Sequence, residues 1–107
     1  MSSFSDREKG FETAFVRNQE LAFRITARRN RLFGSWAAER LGLPAGAVAD
    51  AYAAAVVAAD FAEPGDEDVI RKVRGDLTEK GIAVTEPELR AELERALAEA
   101  RRQLATG

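Results

Sequence analysis

Residues 32–46 read LFGSWAAERLGLPAG, a stretch that predicts the end of a long helix and a turn into the next one. Leu32, Phe33 and Trp36 recur at helical spacing, and Gly42-Leu43-Pro44 then brings together residues that end helices. The same periodicity continues upstream, so the first helix is predicted from about Phe4 to Leu41. Its apolar or small positions are Phe4, Phe11, Phe15, Ala22, Ile25, Leu32, Phe33, Trp36, Ala37 and Leu41.

Three further helices are predicted downstream, separated by glycine and proline. The second runs from about Gly46 to Ala62 and stops at Glu63-Pro64-Gly65, and the third runs from about Asp66 to Lys80. The fourth opens at Thr85, where Glu88 three residues later gives the spacing of a capping box. Apolar residues at positions 69, 70, 73 and 77 mark the third core face, and those at 89, 93, 97, 100 and 104 mark the fourth.

Alanine and glycine predict how these helices pack. Gly34 and Gly75 lie inside predicted helices, where they indicate close helix contacts. Gly81 fits the position just past the end of the third helix. The alanines of the second helix should let a neighbour approach closely, with a predicted core of Val48, Ala51, Tyr52, Ala55, Val56, Ala59 and Phe61.

The composition indicates one all-α domain that is not an enzyme. The chain has 107 residues, rich in the helix formers Ala, Leu, Glu and Arg. It has no cysteine and no histidine, so disulfides and thiolate metal sites are excluded and the commonest general base is missing. Only Lys9, Lys72 and Lys80 could support lysine chemistry, and nothing places them together. We therefore predict no catalytic residue, no metal and no resident cofactor.

Charge and hydropathy limit the partners that the chain could bind. It has 16 basic and 18 acidic residues and a net charge of −2, which does not favour a nucleic-acid binder. No apolar run approaches the ~18 residues of a membrane span, and the N-terminus does not resemble a secretory signal. We expect a cytoplasmic protein that does not insert into the membrane and is a monomer when free.

The first predicted helix is much longer than the other three. The first, of about 38 residues, would extend roughly 57 Å, whereas the other three, of about 17, 15 and 20 residues, would extend roughly 25 Å. The sequence therefore predicts a four-helix bundle (residues 21–107) and a mobile or protruding N-terminal arm (residues 1–20). An arm carrying Phe4, Phe11 and Phe15 could fold as an amphipathic helix in a partner's groove. The alternative is a kink near Asn18 or Ala22 that folds these residues back onto the core.

A cluster of arginines lies in the second half of the first helix. Arg24, Arg28 and Arg31 share one helical face, and Arg29 and Arg40 lie nearby. These arginines could bind an acidic protein surface or phosphate, or they could form a solvated face partly paired with the acidic third and fourth helices. Trp36 could stack on a base, but a core position is its more ordinary environment. The carboxylates of residues 66–68 suit the positive end of a helix better than a metal.

Several stretches resemble the zeta-subunit family, small inhibitor proteins of the F-type ATP synthase in alphaproteobacteria. The first is FSDREK at residues 4–9, and the second is ARRNRLFGSWAAE at residues 27–39. The third combines Ala59-Asp60-Phe61 with GDEDV at residues 65–69, Arg71-Lys72-Val73 and Asp76-Leu77. The resemblance covers nearly the whole chain in the same order, although Val16-Arg17-Asn18 and Asp66 stand where the family often has histidine.

The resemblance implies a four-helix bundle whose mobile N-terminal segment blocks ATP hydrolysis. This segment, here about residues 1–20, would insert into the catalytic head of the synthase where the α, β and γ subunits meet, so the protein would be peripheral to the inner membrane when bound. Apolar anchors and polar contacts in the segment would be Phe4, Asp6, Arg7, Glu8, Lys9, Phe11 and Phe15.

An alternative function is also implied by the resemblance. It is a family member with weak or lost inhibition, whose bundle binds another protein or, weakly, ATP or ADP. The candidate contacts for a nucleotide or an acidic partner are Arg28, Arg29, Arg31 and Trp36.

Overall fold

The chain folds as four α-helices joined by short connections. A computed structural model describes the backbone of residues 3–60 and 66–105, and the side chains of residues 18–60 and 66–105. Its helices are α1 (Ser3–Arg40), α2 (Ala47–Ala59), α3 (Glu67–Glu79) and α4 (Glu86–Ala105), and the described residues include no strand. The predicted all-α, four-helix fold with a long first helix is confirmed.

The predicted ends of α1 and α3 and the predicted start of α4 are confirmed by their hydrogen bonds, whereas α2 ends at Ala59, before the predicted end at Ala62. The N–H groups of Gly42 and Leu43 donate to the carbonyls of Glu39 and Ala38, both at 3.0 Å, in the pattern that closes a helix with a left-handed residue. Gly42 has φ 75°, and Gly81 ends α3 in the same way with φ 81°. At the start of α4, the Glu88 N–H donates to Thr85 Oγ1 at 3.3 Å.

The core lies between α1, α2, α3 and α4 at the C-terminal end of α1. Phe33 of α1 and Val56 of α2 are fully buried there, and α1 packs mainly against α2 and α4. The principal core side chains from α3 and α4 are Val69, Ile70, Val73, Leu77, Leu89 and Leu93. Apolar burial of this size is the main stabilising term for a domain of this length.

The predicted face of α2 is partly wrong. Val48, Ala51 and Ala55 are exposed, while Ala53 and Val56 are buried. The cause is Gly34 of α1, since a Cβ atom added there would lie 2.8 Å from the Ala53 Cα. The two backbones approach at this point, and the approach turns Ala53 toward α1. Phe61 and the predicted break at residues 63–65 lie outside the described residues.

The two helical glycines have opposite environments. Gly34 makes the close contact that its sequence position predicts. Gly75 does not, because no atom lies within 4 Å of a Cβ built there. The prediction of a close contact at Gly75 is wrong, since this residue lies on the exposed side of α3. A glycine inside a helix is therefore an ambiguous signal, and only the position of the neighbouring helix resolves it.

Candidate partner-binding site

The predicted partner-binding residues lie in the first turns of α1. Phe4, Asp6, Arg7, Glu8, Lys9, Phe11 and Phe15 are all within the helix Ser3–Arg40. Their side chains lie outside the described residues, so their roles stay predictions. What the structure does describe is the stretch of α1 that joins them to the bundle.

This joining stretch, residues 18–24, is exposed at every position. It includes the large apolar side chains of Leu21 and Phe23, which are 45% and 61% exposed. α1 passes through Asn18 and Ala22 without a break in the helix. Ala22, expected on the core face, is exposed, and Ile25 is half-buried. The packed part of α1 therefore begins about one turn later than its apolar pattern predicts.

A buried polar cluster marks the point where α1 enters the bundle. Arg29 is 7% exposed, and its Nη1 donates to Asp66 Oδ1 at 2.8 Å. Its Nε and Nη2 donate to Asn30 Oδ1 at 3.0 and 2.8 Å. Asn30 is 1% exposed, so its side-chain oxygen depends on protein donors. The cluster joins α1 to the start of α3, and the Arg29 guanidinium makes its hydrogen bonds within this cluster.

The acidic residues at the start of α3 each bind a different arginine. Asp66 accepts from Arg29, Glu67 from Arg90 at 2.6 Å, and the Asp68 Oδ1 from Arg71 at 2.9 Å. The other oxygen of Asp68 is buried and has no hydrogen-bond partner among the described residues. No group of three or more potential metal ligands occurs in the described part of the chain. The three carboxylates thus act as separate ion-pair partners at a helix N-terminus.

A second polar tie joins α2 to α3. The Tyr52 hydroxyl donates to Asp76 Oδ2 at 2.7 Å, and Lys72 Nζ lies 3.1 Å from the same oxygen. Burial, reinforced by the hydrogen bond to Asp76, raises the pKa of Tyr52 well above its usual value. The hydroxyl therefore stays protonated and remains a donor. The sequence predicted a core position for Tyr52 but carried no signal for this partner.

The arginines of the predicted basic face have different roles. All three of Arg24, Arg28 and Arg31 are exposed, and Arg28 Nη1 donates to Gln103 Oε1 of α4 at 2.6 Å. These three residues line one cleft together with Phe23, Val57 and Leu104. Sequence reasoning missed the apolar members of this cleft, because Phe23 lies off the predicted core face and Val57 and Leu104 belong to other helices.

Trp36 is not part of that cleft. Its ring stacks on Phe33 with centroids 5.7 Å apart, and the Arg40 guanidinium lies 5.4 Å from its centroid. It lines a different cleft, with Leu32 and residues of α4. Of the four residues predicted for a nucleotide, Arg28 and Arg31 share a cleft, whereas Trp36 lies in another and Arg29 is held by Asp66 and Asn30. Nucleotide binding stays a prediction.

Comparison with known proteins identifies the family. The family model described as ATPase inhibitor subunit zeta matches residues 1–103. The chain belongs to this family. The match includes the first turns of α1 as well as the bundle, and the family's name supports a regulatory, inhibitory role for this zeta-family chain. No curated protein matches the chain.

A solved structure is also similar to this zeta-family protein. It was determined in solution by NMR, its sequence is 52% identical, and the match covers 78% of this chain and 94% of that one. The TM-score is 0.69. None of the helices that the structure describes is both long and apolar enough to cross a membrane.

Proposed function

We propose that this zeta-family protein is a non-catalytic regulator that inhibits ATP hydrolysis by the F-type ATP synthase. In this proposal residues 1–20 insert into the catalytic head where the α, β and γ subunits meet, and the bundle stays outside as an anchor. The protein acts in the cytoplasm, peripheral to the inner membrane. The family assignment supports the inhibitory role, and the shape of α1 supports the insertion.

The observation that carries the proposal is the length of α1 relative to its neighbours. α1 has 38 residues, whereas α2, α3 and α4 have 13, 13 and 20. At 1.5 Å per residue α1 extends about 57 Å, roughly twice the length of α4. Residues 18–24 are already exposed, and the molecule extends 66 Å along its longest axis. This excess length supports the proposal that the N-terminal half of α1 enters a partner's groove as a helix.

The test is ATP hydrolysis by the purified catalytic head, measured with the full chain and with a variant lacking residues 1–20. We expect inhibition by the full chain and none by the truncated variant. Circular dichroism and a thermal melt serve as the control, because the truncated protein must keep a folded bundle. Equal inhibition by both proteins would contradict insertion of this segment.

Single substitutions then test the anchors. We expect Phe11→Ala and Phe15→Ala each to weaken inhibition by about thirtyfold, since buried aromatic anchors contribute ~2 kcal/mol or more to binding. Val48→Ala is the matched control, because Val48 is 49% exposed on α2, away from α1's first turns. If both phenylalanine variants inhibit like the control, these residues are not the anchors.

A further inference from the structure

An arginine-lined cleft lies on the bundle where α1, α2 and the end of α4 meet. Phe23 of α1, Val57 of α2 and Leu104 of α4 contribute its apolar walls, and its volume is about 470 Å³. A second cleft of about 300 Å³ shares Phe23, Ala27 and Val57 with it. The shared residues make the two clefts neighbours, with Asp60 as the one carboxylate among the lining residues of the second cleft. Their volumes lie in the ~300–1,000 Å³ range of sites that hold ligand groups.

The charge at this cleft is not balanced by ion pairs within the described part of the chain. Among residues 18–60 and 66–105, no ion pair involves Arg24, Arg28 or Arg31. Arg28 does bind Gln103, but the glutamine side chain is neutral. The arginines elsewhere in the bundle that form ion pairs are Arg29, Arg71, Arg90, Arg95 and Arg102. Arg24, Arg28 and Arg31 thus place three positive charges without ion pairs on one face of a protein whose net charge is −2, while Arg40, Arg74 and Arg101, which also lack ion pairs among the described residues, lie elsewhere.

The spacing of the arginines indicates what kind of ligand would bind them. Residues 24, 28 and 31 form a row about 10 Å long on one face of α1. A partner helix with carboxylates one and two turns apart presents acceptors at the same intervals, and each guanidinium can bind a carboxylate through two hydrogen bonds. The apolar walls of the same cleft would bury apolar side chains adjacent to those carboxylates on such a helix. A nucleotide fits less well, because Trp36 lies in a different cleft.

We propose that this cleft is a second binding site for the catalytic head, and that its occupant is an acidic, amphipathic segment of the head. The inference rests on the proposed function. Because α1 is one helix, a partner surface that surrounds its first turns continues along residues 18–24 toward Arg24 and Arg28. The inserted segment and the cleft then bind to the same partner, and each raises the effective concentration of the partner surface at the other.

The test is a charge reversal in the full chain, Arg24→Glu combined with Arg31→Glu. Neither residue has an ion-pair partner among the described residues, so the bundle should remain folded. The matched control is Arg74→Glu combined with Lys80→Glu, which makes the same charge change on exposed positions of α3 and its C-terminus. A third variant, Leu104→Gln, tests the apolar wall without a change of charge.

Two quantities are measured with the purified catalytic head: the dissociation constant and the maximal inhibition of ATP hydrolysis at saturation. We expect the Arg24/Arg31 variant to bind about tenfold more weakly or worse, since close interfacial charge pairs contribute ~1.5 kcal/mol or more. Its maximal inhibition should equal that of the wild type. Raising the salt concentration should weaken wild-type binding more than binding of this variant. Leu104→Gln should also weaken binding, and the control should not.

The outcomes separate this inference from the proposed function. If the wild type inhibits and the Arg24/Arg31 variant binds like the control, the cleft is not a binding site, and inhibition by residues 1–20 stands. If the wild type binds without inhibiting and the variant still binds more weakly, the cleft is supported and the inhibitory function fails. If ATP shifts the amide resonances of residues 24–31 and competes with the head, a nucleotide occupies the cleft and the inference is overturned.

Discussion

Between Asn18 and Arg28, every residue of α1 is exposed or half-buried, whereas the next turns bury Arg29, Asn30, Phe33 and Ala37 almost completely. Both stretches belong to one uninterrupted helix. Isolated helices are only marginally stable in water, and packing supplies most of their stability in proteins. The second half of α1 is therefore stabilised by packing in the bundle, whereas the exposed half before it is available to a partner.

The largest expected effect on stability comes from a core substitution in the packed half of α1. We expect Phe33→Ala to lower the free energy of unfolding by about 3–5 kcal/mol, because it leaves a cavity at a fully buried site. Leu21→Ala, on the exposed half, should change it by less than ~0.5 kcal/mol. Urea denaturation of both variants measures the difference. Similar losses for the two would mean that residues 18–24 are packed as tightly as the core.

A substitution in the buried polar cluster should have the next largest effect on the free energy of unfolding. We expect Arg29→Ala to cost about 1–3 kcal/mol, because it leaves the buried Asn30 Oδ1 without its donor. Arg24→Ala removes the same side chain from the exposed half and should be nearly neutral in stability. Thermal melts at matched salt compare the two variants. A neutral Arg29→Ala would show that water or another donor satisfies Asn30.

Alanine substitutions at the two helical glycines should change the free energy of unfolding in opposite directions. Gly34→Ala brings a methyl group to 2.8 Å from the Ala53 Cα, so α1 and α2 must separate, and we expect a net loss of ~1 kcal/mol. Gly75→Ala meets no atom within 4 Å and should raise the free energy of unfolding by about 0.5–1 kcal/mol through better helix propensity. Denaturant midpoints decide the signs. A stabilising Gly34→Ala would contradict the close α1–α2 contact.

The smallest expected effect on stability is also the most direct test of whether the two halves of α1 unfold separately. Ala22→Gly should change global stability by less than ~0.5 kcal/mol, because a helical extension without packing opens separately from the bundle. Ala37→Gly, at a fully buried position, should cost ~1 kcal/mol or more. Hydrogen exchange should accordingly be faster at the amides of residues 19–24 than at those of residues 33–40. Uniform protection along α1 would show that its two halves unfold together.

Local signals in the sequence predicted the helices well. Gly42, Gly81 and Thr85 act through hydrogen bonds to residues only three to five positions away, so the pattern contains the whole interaction. The unequal helix lengths followed from the same signals. The motifs at residues 4–9 and 27–39 also indicated the family, which the match over residues 1–103 confirms.

The face of α2 could not be predicted from its own sequence. It consists mostly of alanine and valine, so the hydrophobic pattern does not distinguish one side of the helix from another. Its orientation depends on Gly34 in a different helix. The candidate cleft has the same origin, since Phe23, Val57 and Leu104 come from three helices and meet only in the fold.

The sequence by itself thus determined the number of helices, the ends of α1 and α3, the start of α4, the excess length of the first helix and the family, because each of these depends on neighbouring residues or on motifs. The tertiary structure decided which arginines are paired, which glycine is a contact point and where the packed part of α1 begins. These depend on distances between helices, such as the 2.8 Å from Arg29 to Asp66, 37 positions apart in the chain. Such contacts arise from packing and leave no periodic signal in the residues that make them.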